Sequence, residues 1–482
     1  GNVKLERPPQ TRYTPASQGQ EPMKHRPVVA GFGPCGMFAA LILSEMGYEP
    51  LIIERGKPIE ERIRDVNRFW QEGLLDPESN VQFGEGGAGL FSDGKLTSQI
   101  RDPRVRKVLE EFVEAGGAPE ILYKQKPHIG TDVLRKIVLN IRKKIIENGG
   151  EILFQSKLTG LDIREGNGGN QIRGILVNGE RNIETENLIL AVGHSARDTF
   201  RILDAKGVPM EQKPFSIGVR IEHPQSLVNE AQYGGKWKTY DLGAADYKLS
   251  RHCESGRGIY TFCMCPGGYV IGAASQEGGV VTNGMSYNDR GSSLANSALL
   301  VDVRTEDFPN ASPLAGIEFQ ERYERLAFQT GGGNYRAPAQ RLKDFMQIAP
   351  APEALEEAAV DSDSGMREHV LPEPTYRPGI TWTDLTGCLP DFAVEAMREA
   401  IPAFGRKLRG FDRGDSVMTG VESRSSSPVR ILRGQDLMSR VRGLYPAGEG
   451  AGYAGGIVSA AVDGIRVAEE IVKKHKGFRS SM

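Results

Sequence analysis

The sequence predicts an α/β protein. A three-layer domain is assembled from both ends of the chain, and a mixed β-plus-helix domain is inserted between them. Three observations carry this. Residues 27–56 read strand, glycine turn, helix, strand: PVVAG, GFGPCG, MFAALILSEMG and PLIIERG. After residue 416 the chain returns to short apolar strands (GLYPAG), a second glycine-rich stretch (GEGAGYAGG) and a closing helix. Between them, from about residue 206, the pattern shifts to longer strands such as FSIGVRIEH and GIYTFCMC. The expected organisation is an extended arm over 1–26, a first segment over 27–205, an inserted substrate or cap domain over 206–415, and a closing segment over 416–482.

The first element is a βαβ unit of about 30 residues. Amphipathic periodicity predicts helices over 57–75, 103–116 and 131–148. Residues 151–193 read as strands joined by Gly/Asn turns. They end in the wholly apolar NLILAVG, the signature of a buried parallel strand. In the inserted block, helices are expected near 317–330, 338–347 and 391–408. Within IYTFCMC, a period of two puts Ile259, Thr261, Cys263 and Cys265 on one face, and Tyr260, Phe262 and Met264 on the other. In the closing helix Ile457, Ala460, Ala461, Gly464, Ile465, Ala468, Ile471 and Val472 form one apolar stripe.

Bulk properties exclude several function classes. The chain has 482 residues, with 60 basic against 62 acidic side chains and a net charge of −2. That balance offers no electrostatic basis for nucleic acid or an anionic membrane as a partner. No apolar run reaches the roughly 20 residues of a membrane span, and no signal-peptide pattern is present, so a cytoplasmic location is expected. The oligomeric state is left open. The five cysteines are too few and too scattered for a disulfide framework, and neither CxxC nor CxxxxC occurs. A zinc site from Cys253, Cys263 and Cys265 with His252 would need an unusual spacing, so no metal is expected.

The motif Gly31-Phe32-Gly33-Pro34-Cys35-Gly36 lies between a strand and a helix. Gly31 allows the tight turn, Gly33 lets the backbone approach a pyrophosphate, and Gly36 permits close helix–strand packing. The helix start supplies free N–H groups and partial positive charge. Glu54 ends the next strand, where an acid accepts from ribose hydroxyls. This is the Rossmann-like dinucleotide fingerprint. Cys35, at the helix start, is either a thiol of lowered pKa or a small space-filling residue; the second is preferred. Glu449 follows a strand end and could accept from a ligand hydroxyl. The helix starting near Gly456 presents its positive end to whatever lies in front, which favours negative charge there.

GFGPCG followed by Glu54-Arg55-Gly56 resembles the FAD-binding start of glutathione-reductase-type flavoproteins. LILAVG (188–193) and PAGEGAGYAGGIVSAAVDG (446–464) resemble their later cofactor segments. NVQFGEGGAGLFSDGKLTS, KPHIGTDVL, LAVGHSARDTF, KPFSIGVRIEH, LGAADYKL, TFCMCPGGYVIGAASQEGGVVTNGMS and GVESRSSSPVRI together resemble the bacterial family of uncharacterised FAD-dependent dehydrogenases. The likeness spans residues 27–475 or so. Members of that family typically carry a further N-terminal region, which this chain is expected to lack or to keep only as its arm.

The resemblance implies FAD as cofactor. It is expected against Gly31, Gly33, Pro34, Cys35, Gly36, Glu54, Arg55, Gly86, Gly87, Ala88, Gly89, Lys95, Leu158, Ala191, Gly193, Gly448, Glu449, Gly455, Gly456 and Ile457. Three side chains are candidates for chemistry. Lys95 could stabilise flavin N1 or a substrate carboxylate. Asp93 could carry a proton. His194 could relay one, or could hold Arg197 or the backbone in place. For Lys95 and Asp93 the alternative is a solvated loop pair. Arg220, Glu222 and His223 form either a flavin-facing anion site or, preferred for an alternating strand, a solvent face. The basic runs 101–107 and 135–144 read as solvated helix faces. No second strand–GxGxxG–helix unit occurs, so NAD(P)H is expected at most as a transient donor.

The expected function is an FAD-dependent oxidoreductase, a dehydrogenase that transfers a hydride between flavin N5 and a small-molecule substrate. A flavin-dependent RNA-modifying enzyme and a flavin-bound interaction protein without turnover are the alternatives.

Overall fold

The computed structural model describes residues 12–98, 100–166, 169–239, 242–347 and 373–479. Residues 1–11 of the expected arm lie outside them. In the rest of the arm Tyr13 and Ala16 pack against the core, and Glu21–Pro22 pairs in parallel with His475–Lys476.

Among the described residues, a 5-stranded parallel sheet runs in the order Leu444–Pro446, Leu188–Leu190, Val28–Ala30, Leu51–Ile53, Glu151–Leu153. Its strands are three residues long, so alternation decides which layer each side chain joins. Val29, Ile52 and Ile189 pack with helices Pro34–Glu45, Thr131–Glu147 and Ile457–Lys474. Val28, Ala30, Leu51, Ile53, Leu188 and Leu190 pack instead with the antiparallel meander Leu158–Gly166, Gly169–Val177, Arg181–Glu184. Helices, parallel sheet and meander are the three layers. The first and last helices meet closely. A Cβ on Gly464 would lie 2.1 Å from the Cys35 carbonyl oxygen, and only a glycine permits that crossing.

The inserted domain is built on a 7-stranded sheet. Its order is Ser250–His252, Gly258–Cys265, Leu294–Val303, Phe215–Pro224, Val417–Glu422, Ala337–Arg341, Ile380–Trp382. The last pair is parallel and the others are antiparallel. Helices Ala315–Thr330 and Asp391–Lys407 cover one face through Phe319, Tyr323, Ala396, Met397 and Phe404. No described helix is long and apolar enough to cross a membrane.

Several expectations are corrected here. The boundary placed between 415 and 416 falls ahead of Val417–Glu422, which sits inside the larger sheet beside Phe215–Pro224. The chain rejoins the parallel sheet only at Leu444. The helix expected over 338–347 is a strand, Ala337–Arg341, followed by one turn, Leu342–Phe345. Pairing to Val417–Glu422 overrides the local pattern. The supposed solvent face of Phe215–Pro224 is buried, with Arg220 0% and Glu222 2% exposed, because both sides of this central strand are covered. The strict alternation read in IYTFCMC breaks at a bulge between Phe262 and Cys265. The basic runs are not simply solvated. Lys107 and Lys144 both pair with Glu45 and Glu111, and Arg104 pairs with Glu469, tying neighbouring helices together.

Candidate functional site

The glycine turn after Val28–Ala30 is fixed by close approach. Gly31 has φ +100, and a Cβ there would lie 2.4 Å from the Ala191 oxygen. A Cβ on Gly36 would lie 1.9 Å from the Gly31 oxygen. Both glycines therefore serve packing, and Gly36 does not reach the cavity beyond. Gly33 differs. It is the extended residue before the helix (φ −78, ψ −176), and a Cβ there meets Gly87 at an ordinary 3.5 Å. Pro34, at the first helical position, has no N–H to satisfy. The N–H groups that follow form the positive end of the helix.

This turn is one wall of a cavity of about 820 Å³, within the range of roughly 300–1,000 Å³ usual for small-molecule and cofactor sites. Gly31, Gly33, Pro34, Cys35, Glu54, Arg55, Gly87, Ala88, Gly89, Lys95, Leu158, Ala191, Gly193, His194, Glu449, Gly455, Gly456 and Ile457 all line it. Gly36, Gly86, Gly448 and Asp93 lie behind the lining.

Glu54 carries more than the expected ribose contact. Oε2 accepts from the Phe32 N–H at 2.8 Å, and Oε1 accepts from the Gly56 and Gly84 N–H groups at 2.9 and 3.0 Å. One carboxylate thus ties together three loops. Arg55 makes two hydrogen bonds to Asp198 at 3.0 and 3.1 Å, reaches Glu78 at 2.7 Å, and lies 3.9 Å over the Phe83 ring. Cys35 is a buried filler. Burial, with Asp463 nearby, pushes its thiol well above the usual range, which removes the lowered-pKa alternative.

The second glycine stretch is held from behind. Asp463 accepts from the Gly448 N–H at 2.8 Å and pairs with Arg433, which also donates to the Pro446 oxygen at 2.8 Å. Gly448 itself packs on Cys35, where a Cβ would come within 2.9 Å. Gly455 and Gly456 face open space, as does Gly193: a Cβ on any of them meets nothing within 4 Å. The floor is therefore free of side chains just in front of helix Ile457–Lys474. Beside it, His194 Nδ1 lies 3.2 Å from Glu449 Oε1. Its Nε2 is buried without a partner among the described residues.

Lys95 reaches the opposite wall. Its ammonium donates to the Met264 oxygen and pairs with Asp93 at 2.8 Å. Burial opposes its charge, but neighbouring Cys263, Cys265 and Asp93 outweigh burial, so the lysine stays cationic. Asp93 corrects the proton-carrier expectation. Although burial works against its charge, Lys95 and Arg290 hold its carboxyl below the usual range, and Ser286 donates to it. It is an ionised anchor for Lys95.

The inserted domain contributes Phe262, Cys263, Asn283, Glu422 and Arg424. Arg220 is bound to Glu422 through two nitrogens. Arg424 shares the buried Glu324 with Arg197 (2.8 and 2.7 Å), and donates to Ser195 at 3.1 Å. Arg197 belongs to the first domain and Glu324 to the inserted one, so this cluster fastens the two together at the cavity. Arg424, Cys263 and Glu422 were not singled out from sequence for this wall. The block GVESRSSSPVRI held the only signal for two of them. Among the described residues, no three His, Cys, Asp or Glu side chains gather to hold a metal.

The donor set fits a dinucleotide: two helix starts, side-chain-free glycines and an acid at a strand end. The chain is similar to several known proteins. An uncharacterised protein of Clostridium beijerinckii (strain ATCC 51743 / NCIMB 8052) is 51% identical over 458 residues, 95% of this chain and 82% of the relative. CtdE in complex with FAD shares 12% identity over 91% of this chain and 81% of that one, with a TM-score of 0.33. The glycerol-3-phosphate dehydrogenase from Bacillus halodurans complexed with FAD shares 14% over 58% and 48%, with a TM-score of 0.31. Residues 214–425 match the family described as "FAD-dependent protein, C-terminal domain-like". FAD is thus the cofactor, and the chain belongs to this family of FAD-dependent proteins.

Proposed function

We propose that the protein is an FAD-dependent oxidoreductase, a dehydrogenase that passes a hydride between the flavin and a small molecule held where the two domains meet. One observation carries this reading. A single cavity is walled on one side by the glycine turns of the nucleotide-type domain and on the other by polar side chains of the inserted domain. Bound FAD supplies the two-electron chemistry.

The chain's own residues bind and orient. The helix start after Gly33 receives the diphosphate, with Gly87–Gly89 opposite. Leu158 and Arg55 border the nucleoside end. Gly455, Gly456 and Ile457 leave room for a flat ring, and their helix end favours negative charge there. His194 fixes Glu449. Lys95, anchored by Asp93, keeps a cation on the wall facing the inserted domain, and Arg424 holds a second one. An anionic or carbonyl-bearing substrate suits that wall. NAD(P)H serves as a transient donor at most.

The test is the absorbance spectrum of the purified protein, followed by anaerobic mixing with NADH, NADPH and a panel of small-molecule donors. Flavin that bleaches with at least one donor is expected. A bound flavin inert to every donor would sink the oxidoreductase reading and leave the cofactor reading standing.

A further inference from the structure

Cys263 and Cys265 occupy a distorted strand end against the cofactor cavity. Pairing of Gly258–Cys265 with Leu294–Val303 is regular as far as Phe262 opposite Ala298, then jumps to Cys265 opposite Asn296. Cys263 takes φ +44 at this irregularity, a conformation seldom adopted by residues other than glycine, asparagine or aspartate. The distortion turns half-buried Cys263 onto the cavity wall, while Cys265 is buried behind it. Both thiols are free, and Cys265 Sγ donates to the Cys263 carbonyl oxygen at 3.2 Å, which folds the two residues together.

Two cations bracket the pair. Lys95 donates to the Met264 oxygen, between the cysteines, and Arg220 donates to the Cys263 oxygen at 2.9 Å. Their carboxylate partners, Asp93 and Glu422, are already engaged. Neighbouring Cys265 draws the Cys263 thiol down from its usual range, Lys95 and Arg220 act in the same direction, and burial opposes them. Cys265 moves the other way, through Cys263 and by burial. The two thiols are biased in opposite directions, the asymmetry that thiol–disulfide chemistry uses.

We propose that Cys263 and Cys265 form a dithiol–disulfide couple that exchanges an electron pair with the flavin of this cavity. The inference rests on FAD occupying the cavity as described above. In the oxidising direction the Cys263 thiolate and the Cys265 thiol lose two electrons in total as the sulfur–sulfur bond forms. The electron pair and the Cys265 proton pass to oxidised flavin, which becomes its singly protonated anionic reduced form, so atoms and charge balance. In the reverse direction reduced flavin cleaves the disulfide. The couple sits in the inserted domain, so the protein would act on a thiol or disulfide reaching the cavity from that side.

The test uses the flavin-bound full chain. Oxidised protein is titrated anaerobically with dithionite, and the 263–265 peptide is mapped by alkylation and mass spectrometry before and after reduction. The wild type should take up about twice the electrons per flavin of Cys263→Ser or Cys265→Ser. Alkylation of both cysteines should appear only after reduction, while Cys35→Ser and Cys388→Ser leave the electron count unchanged. Flavin-bound wild-type protein whose two thiols alkylate equally before and after reduction overturns the couple alone, and this readout needs no variant to fold. Wild-type protein that holds no flavin, even after FAD is added, overturns the cofactor reading and the couple with it.

Discussion

The two glycine-rich turns of the cavity look alike in sequence and do different work. In GFGPCG, Gly31 and Gly36 are glycine because protein atoms stand where a side chain would be, with contacts of 2.4 and 1.9 Å. In GEGAGYAGG, Gly455 and Gly456 are surrounded by empty space. In the first turn Gly31 and Gly36 serve folding, and only Gly33 leaves room for a side chain at the cavity wall. The second packs Gly448, Gly450 and Gly452 on protein and leaves only Gly455 and Gly456 open to the cavity, while Asp463 and Arg433 hold the backbone from behind. Glycine content alone does not separate a packed turn from an open one. The nearest atom to the missing Cβ does.

Substitutions can break this contrast. The largest effect is expected at Gly36→Val. Its side chain would enter the Gly31 backbone, costing about 3 kcal/mol or more, and urea denaturation should show the loss with or without FAD. Gly33→Val should keep the fold, since that backbone conformation suits any residue. Its branches would fill the space between the two loops, and flavin affinity should fall at least tenfold, or about 1.4 kcal/mol, by spectral titration. Full flavin content in that variant would remove the phosphate site from this turn. Gly455→Ala should change stability by less than about 0.5 kcal/mol and weaken flavin only modestly. A large loss of folding there would erase the distinction between the two turns.

The smallest effect concerns the third loop, at Glu85. Burial pushes its carboxyl up to about 7, outweighing the Ile59 N–H and Arg142. A folded pKa above the unfolded one, near 4.3, means the proton is held more tightly in the folded state. The stability it gives is full below about pH 4 and is lost as pH rises towards 7. Glu85→Gln should therefore flatten the fall in melting temperature between pH 5 and pH 8. An unchanged slope would show that Arg142 keeps Glu85 ionised.

Much of the nucleotide-type domain was legible because its signals are local. A strand, a turn whose glycines have fixed spacing and a helix occupy one stretch of chain, and Glu54 follows at the next strand end. The inserted domain was less legible because its decisive contacts are distant in sequence. Residues 338–341 look helical until strand 417–422 pairs with them. Arg220 looks like a solvent residue until strands on both sides bury it. Asp93 looks like a free acid until Lys95 and Arg290 close on it.

The sequence by itself determined the parallel sheet, the glycine turn of dinucleotide type and the closing helix, since each follows from spacing and periodicity within a short window. Only the tertiary structure decided which glycines touch protein and which face the cavity, and that Arg197, Glu324 and Arg424 fasten the two domains. It also decided that Cys263 is turned onto the cavity wall. Most of these depend on atoms a hundred or more residues apart meeting within a few ångströms, which no local pattern records.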